Sequence, residues 1–295
     1  MATEWEGKSK GTLLGYKLYI FFLSTFGIGT AYFVLRFVVA YYFLFSFQSS
    51  KAIYFYFRKR LRYSQLKSIL SIYSSYFTLG KVLTDRVSIS TKFRDKFTYT
   101  HDGIEHIDHL LKQNKGGILI SAHVGNFEIS HYFLQDRYSI SKIFMVTTHA
   151  EHANIKEYLD GIVAESTMKF IVVQEDMTHI FEIHNALDQG GLVVFTGDRY
   201  LPGAKKLTEQ FIGANADFPM GPYLLASRLN VPVLFVYVMK GANREYNLYA
   251  RKAVAKARDP QALLKEYTQS VEWILEKYPL QWFNYFDFWK DGKKA

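Results

Sequence analysis

The sequence runs to 295 residues without a single cysteine. That removes a disulfide framework, a thiolate zinc site and a cysteine nucleophile, and it suits a reducing compartment. Proline is scarce, with six residues, and no Pro/Gly-rich linker, internal repeat or low-complexity tract divides residues 100–295. A chain of this length can form one large α/β domain with a full core, or two small domains. Neither a Gly-x-Ser-x-Gly nucleophile elbow nor a Walker phosphate loop is present, so covalent serine catalysis and nucleotide hydrolysis have no support. His101, His106 and His109 surround one short helical pattern, and His149-x-x-His152 and His179-x4-His184 have loosely metal-like spacing. None carries the carboxylate of a His-Glu-x-x-His helix, so no metal is expected. RNA-binding aromatic stretches and zinc-finger spacings are missing too, so nucleic acid is not an expected partner.

What the chain does have is positive charge and aromatic rings. Lys and Arg number 36 against 27 for Asp and Glu, a surplus of +9, with 25 Phe and 22 Tyr. The rings concentrate early in the chain beside Leu, Ile and Val, a combination that points to a membrane surface. Residues 18–35 are uncharged. As a helix they would extend about 27 Å, marginal for a hydrocarbon core of roughly 30 Å. A second apolar run, 37–47, follows Arg36. Two readings stand side by side. One is a tilted span or shallow helical hairpin, with Lys17 and Arg36 reaching toward the interface. The other is a pair of buried or interfacial helices packed on a soluble domain. Gly27 and Gly29 are placed to break the helix or to admit a close neighbour. Glu4 and Glu6 spoil a signal peptide's basic head. Lys51, Arg58, Lys59, Arg60, Arg62 and Lys67 come directly after the apolar block, which by the positive-inside rule puts the following body on the cytoplasmic face.

Residues 64–83 have helical periodicity. Beyond residue 100 the pattern alternates. Strands are expected over 117–122, 143–147, 170–174, 192–196, 231–239 and 246–250, and helices over 104–111, 127–134, 151–163, 178–187, 221–229 and 260–278. Short apolar strands separated by helical stretches indicate an α/β fold, a mostly parallel central sheet flanked by helices. The expected organisation is an N-terminal membrane-associated helical region, 1–62, and an α/β domain, 63–295.

The most informative stretch is Ser121-Ala-His123-Val-Gly125-Asn126-Phe127-Glu128, between an apolar run and a helix-like segment. A His and a Glu five residues apart diverge on a regular helix or strand. They converge only if the backbone turns at Gly125-Asn126. That implies strand, turn and helix, at the strand end where open α/β sheets bind ligands. The pair reads either as a structural hydrogen-bonded couple or as a catalytic one. Gly197-Asp198-Arg199 follows another strand; if the two strands are neighbours, Asp198 and Arg199 face His123 and Glu128. A third stretch, from Phe211 through Gly213, Phe218 and Pro219 to Gly221, enters a helix whose free N–H groups, with Lys205 and Lys206 nearby, could hold an anion.

These blocks together resemble the late acyltransferases of lipid A biosynthesis, the lauroyl- and myristoyltransferase group, within the wider lysophospholipid-type acyltransferases. His123-Val-Gly125-Asn126-Phe127-Glu128 resembles H-x-G-N-W-E, with Phe127 where Trp is usual. Gly197-Asp198-Arg199, Phe211-Ile-Gly213 and Pro219-Met-Gly221 resemble later blocks, with Arg199 where Gln or His is common. The resemblance implies a glycerolipid acyltransferase-like fold. It also implies transfer of a fatty acyl chain from acyl carrier protein, or acyl-CoA, to a hydroxyl of a lipid A precursor at the bacterial inner membrane, without a cofactor. His123 would act as general base and Glu128 would orient it. Gly125, Asn126, Asp198, Arg199 and Gly221 would bind substrate, with the Gly125-Asn126 N–H groups and Arg199 as oxyanion donors. Two alternatives remain open: another lipid acceptor (an aminolipid, lysophospholipid, or pigment or polyene lipid), and a non-catalytic lipid-binding membrane protein.

Overall fold

A computed structural model describes residues 13–113, 115–138, 142–147, 168–174, 176–200 and 203–289. The expected helix 151–163 and the His149/His152 pair lie outside them. The core is a seven-stranded sheet: β1 (Thr98–Asp102), β2 (Gly117–Ser121), β3 (Ile143–Thr147), β4 (Met168–Val172), β5 (Leu192–Thr196), β8 (Val233–Lys240) and β9 (Glu245–Lys252), in the order β1-β9-β8-β2-β5-β3-β4. All pairings are parallel except β8 with β9. Only residues 241–244 join those two strands, far too few for the crossover that a parallel pair needs. β6 (Lys206–Phe211) and β7 (Ala214–Pro219) form a separate antiparallel hairpin.

β2 is buried along its whole length. Ile118 and Ile120 join one core with Val193, Phe195, Phe235 and Tyr237, while Leu119 joins another with Leu192, Val194, Leu234 and Val236. A strand packed on both faces must be apolar at successive positions, which is why Gly-Ile-Leu-Ile-Ser does not alternate. Helix α5 (Ser130–Tyr138) follows β2 and supplies Tyr132, Phe133 and Leu134 to the second core. α7 (Met220–Arg228) and α8 (Pro260–Lys277) supply Tyr223, Leu264 and Tyr267 to the first. α4 (Ile104–Lys112) connects β1 to β2, and α6 (Thr178–Asp188) connects β4 to β5. Leaving β2 the chain moves toward β3, and leaving β5 it moves toward β8, so the adjacent pair β2/β5 marks a topological switch point.

The amino-terminal third is helical: α1 (Leu13–Phe45), α2 (Phe47–Phe55), a π-helical turn (Tyr56–Arg60) and α3 (Gln65–Ile89). By length and composition Tyr19–Phe45 is long and apolar enough to cross a membrane. It is not one straight rod, because Gly27 has φ 81° and ψ 176° and breaks the helix there. α1 and α3 approach closely at Gly80, where a Cβ would stand 2.5 Å from Leu35. Tyr56 and Phe57, just before the expected boundary at residue 62, share a core with Trp282 and Trp289, and the Tyr56 and Trp282 rings lie 4.6 Å apart.

Three strands were not anticipated from sequence. β1 is mostly exposed and polar, held at the sheet edge by β9, and so has no apolar run to betray it. The β6–β7 hairpin replaces the expected irregular entry to the helix at 221. Its two turn residues, Ile212 (φ 47°) and Gly213 (φ 74°), both take left-handed backbone, as tight hairpins prefer. A β-branched residue rarely does so. Here the Ile212 N–H donates to the Glu272 carboxylate of α8.

Candidate active site

Parallel pairing aligns Ser121 with Thr196, so the residues just past β2 and β5 emerge side by side. Gly197 N–H donates to the Ser121 carbonyl (2.8 Å), and the Tyr267 hydroxyl donates to the same oxygen (3.0 Å). Tyr223 donates to the Gly197 carbonyl at 2.7 Å. With the strand ends pinned in this way, His123 and Asp198 meet. His123 Nδ1 lies 2.7 Å from Asp198 Oδ1, and the His123 backbone N–H donates to Asp198 Oδ2 at 2.9 Å.

The turn after His123 is held by one local bond and by two distant parts of the chain. Val124 N–H donates to the Ala122 carbonyl (2.7 Å), Gly125 N–H to Gln281 (3.0 Å) and Asn126 N–H to Val238 (2.7 Å). Gly125 takes φ +57°, and a Cβ there would come within 2.1 Å of the Val238 carbonyl oxygen. Asn126 has φ −134° and does not share the left-handed backbone. Its buried side-chain amide donates to the Val82 carbonyl of α3 (3.1 Å) and to Tyr246 Oη (3.4 Å). Neither backbone N–H of Gly125-Asn126 is therefore available to an oxyanion in this geometry, contrary to the expectation from sequence.

Asn284, in the segment after α8, organises the remaining polar groups. Its amide donates to Asp198 Oδ2 (2.7 Å), and its carbonyl oxygen accepts from Arg199 Nε (2.7 Å). Arg199 Nη2 donates to the Phe283 carbonyl (2.8 Å), and Phe283 N–H donates to the His123 carbonyl (2.9 Å). The hydrogen bonds close a ring through His123, Asp198, Asn284, Arg199 and Phe283. Arg199 thus has a described role in holding the site together. Gly221 sits in the first turn of α7, where a Cβ would meet nothing within 4 Å.

Glu128 occupies a short 3₁₀ turn, Phe127–Ile129. Its half-exposed carboxylate forms an ion pair with Arg86 at the end of α3. Sequence places the Glu128 carboxylate at the imidazole, but it is Asp198 that accepts the hydrogen bond from Nδ1–H. The reason is geometric: parallel register delivers the β5 end directly beside His123, whereas Glu128 turns away with the 3₁₀ turn toward α3. The next histidine, His131, is buried and donates from Nδ1 to the Glu128 carbonyl at 2.6 Å, which ties the turn down. Burial pushes its pKa down to about 4.

The electrostatics favour a neutral imidazole. Burial and, next, the Arg199 cation lower the His123 pKa below its usual 6.5, although Asp198 and Glu128 pull it up. Burial pushes the Asp198 carboxyl up, but His123, Arg199 and Asn284 outweigh it and hold the pKa at about 2. Desolvation drops Arg199 to about 10, which leaves it cationic at neutral pH. The His123 side chain keeps 29% of its surface exposed, and its Nε2 has no hydrogen bond among the described residues. The arrangement can accept a proton at Nε2 while a fixed carboxylate holds Nδ1–H, the division of labour of a His–Asp couple.

Sequence reasoning missed Asn284, Arg86 and a buried pair beneath the turn, Lys240 and Asp85 (2.6 Å), on which Tyr246 also converges (2.6 Å). Asn284 stands as a lone amide inside the aromatic run Trp282–Trp289, an anomaly that could have drawn notice. Nothing in the sequence pairs Asp85 with Lys240.

No curated protein matches the chain in a sequence search. A family model does. The description "bacterial lipid A biosynthesis acyltransferase" matches residues 58–291, a segment holding His123, Glu128, Asp198 and Asn284, and on that match over most of its length the chain belongs to the bacterial lipid A biosynthesis acyltransferase family.

Proposed function

We propose that this acyltransferase moves a fatty acyl chain from a thioester, acyl carrier protein being the favoured donor, to a hydroxyl of a lipid A precursor at the cytoplasmic face of the inner membrane. The bond between His123 and a buried, ionised Asp198 is the observation that carries the reading. The acceptor oxygen attacks the thioester carbonyl carbon as its proton passes to His123 Nε2. The tetrahedral intermediate collapses, the C–S bond breaks, and the imidazolium returns its proton to the departing sulfur, leaving an ester and a free thiol. Asp198 holds the ring by Nδ1–H and stabilises the imidazolium, as a carboxylate does beside a catalytic histidine. General-base assistance contributes about 10² to 10⁴-fold. The rest must come from positioning and from donors to the oxyanion. Glu128, paired with Arg86, adds negative potential toward the same imidazolium. The surplus of 9 positive charges favours an acidic donor protein over a neutral one.

Two measurements test the proposal. Lipid extracts of cells with and without the gene, compared by mass spectrometry, should differ by one ester-linked chain on a lipid A species. Unchanged lipid A with a chain missing from another lipid would move the acceptor and keep the chemistry. Purified protein should transfer acyl groups from acyl carrier protein, and His123→Ala should abolish transfer while its melting temperature stays near that of the wild type. Full transfer by His123→Ala would overturn the mechanism.

A further inference from the structure

The run 18–35 that the sequence offers as a membrane span is folded against the catalytic body. The Tyr19 hydroxyl bonds to the Thr84 hydroxyl, and the Tyr32 hydroxyl bonds to Asp85, the next residue of α3. Thirteen residues of straight helix would separate those tyrosines by about 20 Å and turn them to different faces. The break at Gly27 is what lets both reach neighbouring residues. Between them Leu23, Ile28 and Ala31 are buried in one core with Phe93, Phe97 and Ile107. Asp85 in turn holds Lys240 at the end of β8 and Tyr246 of β9. Tyr19 and Tyr32 therefore lie at the level of the carboxyl end of β8, not in a bilayer beyond the sheet. The limb beyond them, 36–45, is about 15 Å long, half of a hydrocarbon core, and it too is held on the body, with Val39 buried and the Arg36 carbonyl accepting from the Tyr73 hydroxyl.

The outer side of the same helices is apolar and uncovered. Phe33, Phe37, Tyr41 and Phe45 recur at every fourth position along the second limb, each more than half exposed. Phe47 (75% exposed), Leu66 (69%) and Leu70 (60%) extend the patch onto α2 and the start of α3. Lys51, Arg58, Lys59, Arg62 and Lys67 come from the same elements and the turn between them, and all are exposed. An apolar stripe with a basic rim fits one leaflet of an anionic bilayer.

We infer that the protein is monotopic: α1 is a bent hairpin that docks its outer face into one leaflet of an anionic membrane without crossing it. This rests on the membrane-associated reading above. The absence of native cysteine makes a direct test simple. Ala2→Cys and Glu276→Cys are made singly and expressed in cells, and sealed inside-out inner-membrane vesicles are treated with a membrane-impermeant maleimide. Both positions should label without detergent. Labelling of position 276 alone, with position 2 reacting only after detergent, would mean that the chain crosses the bilayer and would overturn the inference. Flotation with the full-length protein supplies the second arm. Binding to phosphatidylglycerol-containing vesicles should exceed binding to pure phosphatidylcholine, and Phe33→Ser/Phe37→Ser and Lys51→Glu/Lys59→Glu should each reduce it by about tenfold. Equal flotation of these variants and the wild type would overturn the docking face. Failure to bind either vesicle would overturn membrane association itself, whereas the chemistry at His123 is judged separately by the transfer assay.

Discussion

Asp198 gives both carboxylate oxygens to His123 in a single grip, Oδ1 to ring Nδ1 at 2.7 Å and Oδ2 to the backbone N–H at 2.9 Å. A ring and a backbone held by one buried anion cannot rotate independently, so Nε2 has one direction in which to point. Asn284 shares Oδ2 and fixes the carboxylate from the far side.

Replacing Asp198 by Asn should therefore lower turnover by about 10² to 10⁴-fold, with little change in the donor KM, because the amide supports the wrong tautomer and no longer stabilises the imidazolium. Glu128→Gln should cost less, since Glu128 is half-exposed and already paired with Arg86. Steady-state kinetics of the two variants rank the carboxylates, and a larger loss for Glu128→Gln would reverse their assigned roles.

The pH dependence follows from the lowered His123 pKa. Protonation removes the base, so kcat/KM should fall on the acid side with a midpoint below 6.5. Asn284→Asp places a second carboxylate beside Asp198 and should raise the His123 pKa, moving that limb to higher pH. Asn284→Leu removes both amide bonds and should lower kcat without that shift. pH–rate profiles of the three proteins separate a charge effect from simple loosening.

Stability should also fall in acid. The Asp198 pKa is depressed when folded, about 2 against 3.8, so its contribution is present in full above the unfolded value and is lost as pH falls through the folded one. The shift corresponds to about 2 kcal/mol. His123 acts in the same sense: its folded pKa lies below 6.5, so the unfolded chain binds the proton more readily and acid favours unfolding. Denaturant melts of wild type and Asp198→Asn between pH 7 and pH 3 should converge as the pH falls.

Gly125→Ala should destabilise strongly, since alanine would have to keep φ +57° with its methyl group 2.1 Å from the Val238 oxygen. Lys240→Met should cost about 3–5 kcal/mol, because it strands Asp85 in the core. Thermal melts measure both. A Lys240→Met protein as stable as wild type would mean that Asp85 is protonated in the fold, in line with the upward push that burial gives its carboxyl.

Much of the architecture was legible along the chain. Buried strands such as Gly117–Ser121 and Leu192–Thr196 announce themselves by unbroken apolar runs. α8 announces itself by Pro260 in its first turn and Pro279 just beyond its end. β1 and the β6–β7 hairpin were illegible because half-exposed strands carry little apolar signal, and because Ile212 occupies a turn position that its side chain disfavours.

The sequence by itself determined the kinds of group present: an imidazole and several carboxylates near strand ends, a glycine turn, an aromatic and basic amino terminus, and no thiol. Local patterning carries that information because burial and backbone preference act residue by residue. Which carboxylate meets His123 was decided only by the tertiary structure. Asp198 lies 75 residues away and arrives through the β2–β5 pairing, while Asn284 arrives from the carboxyl-terminal segment. The bend at Gly27 was likewise settled by partners distant in sequence, Thr84 and Asp85, which draw both limbs of α1 onto one point of α3. Strand order and helix docking depend on the summed packing of the whole domain, and no window of sequence contains that sum.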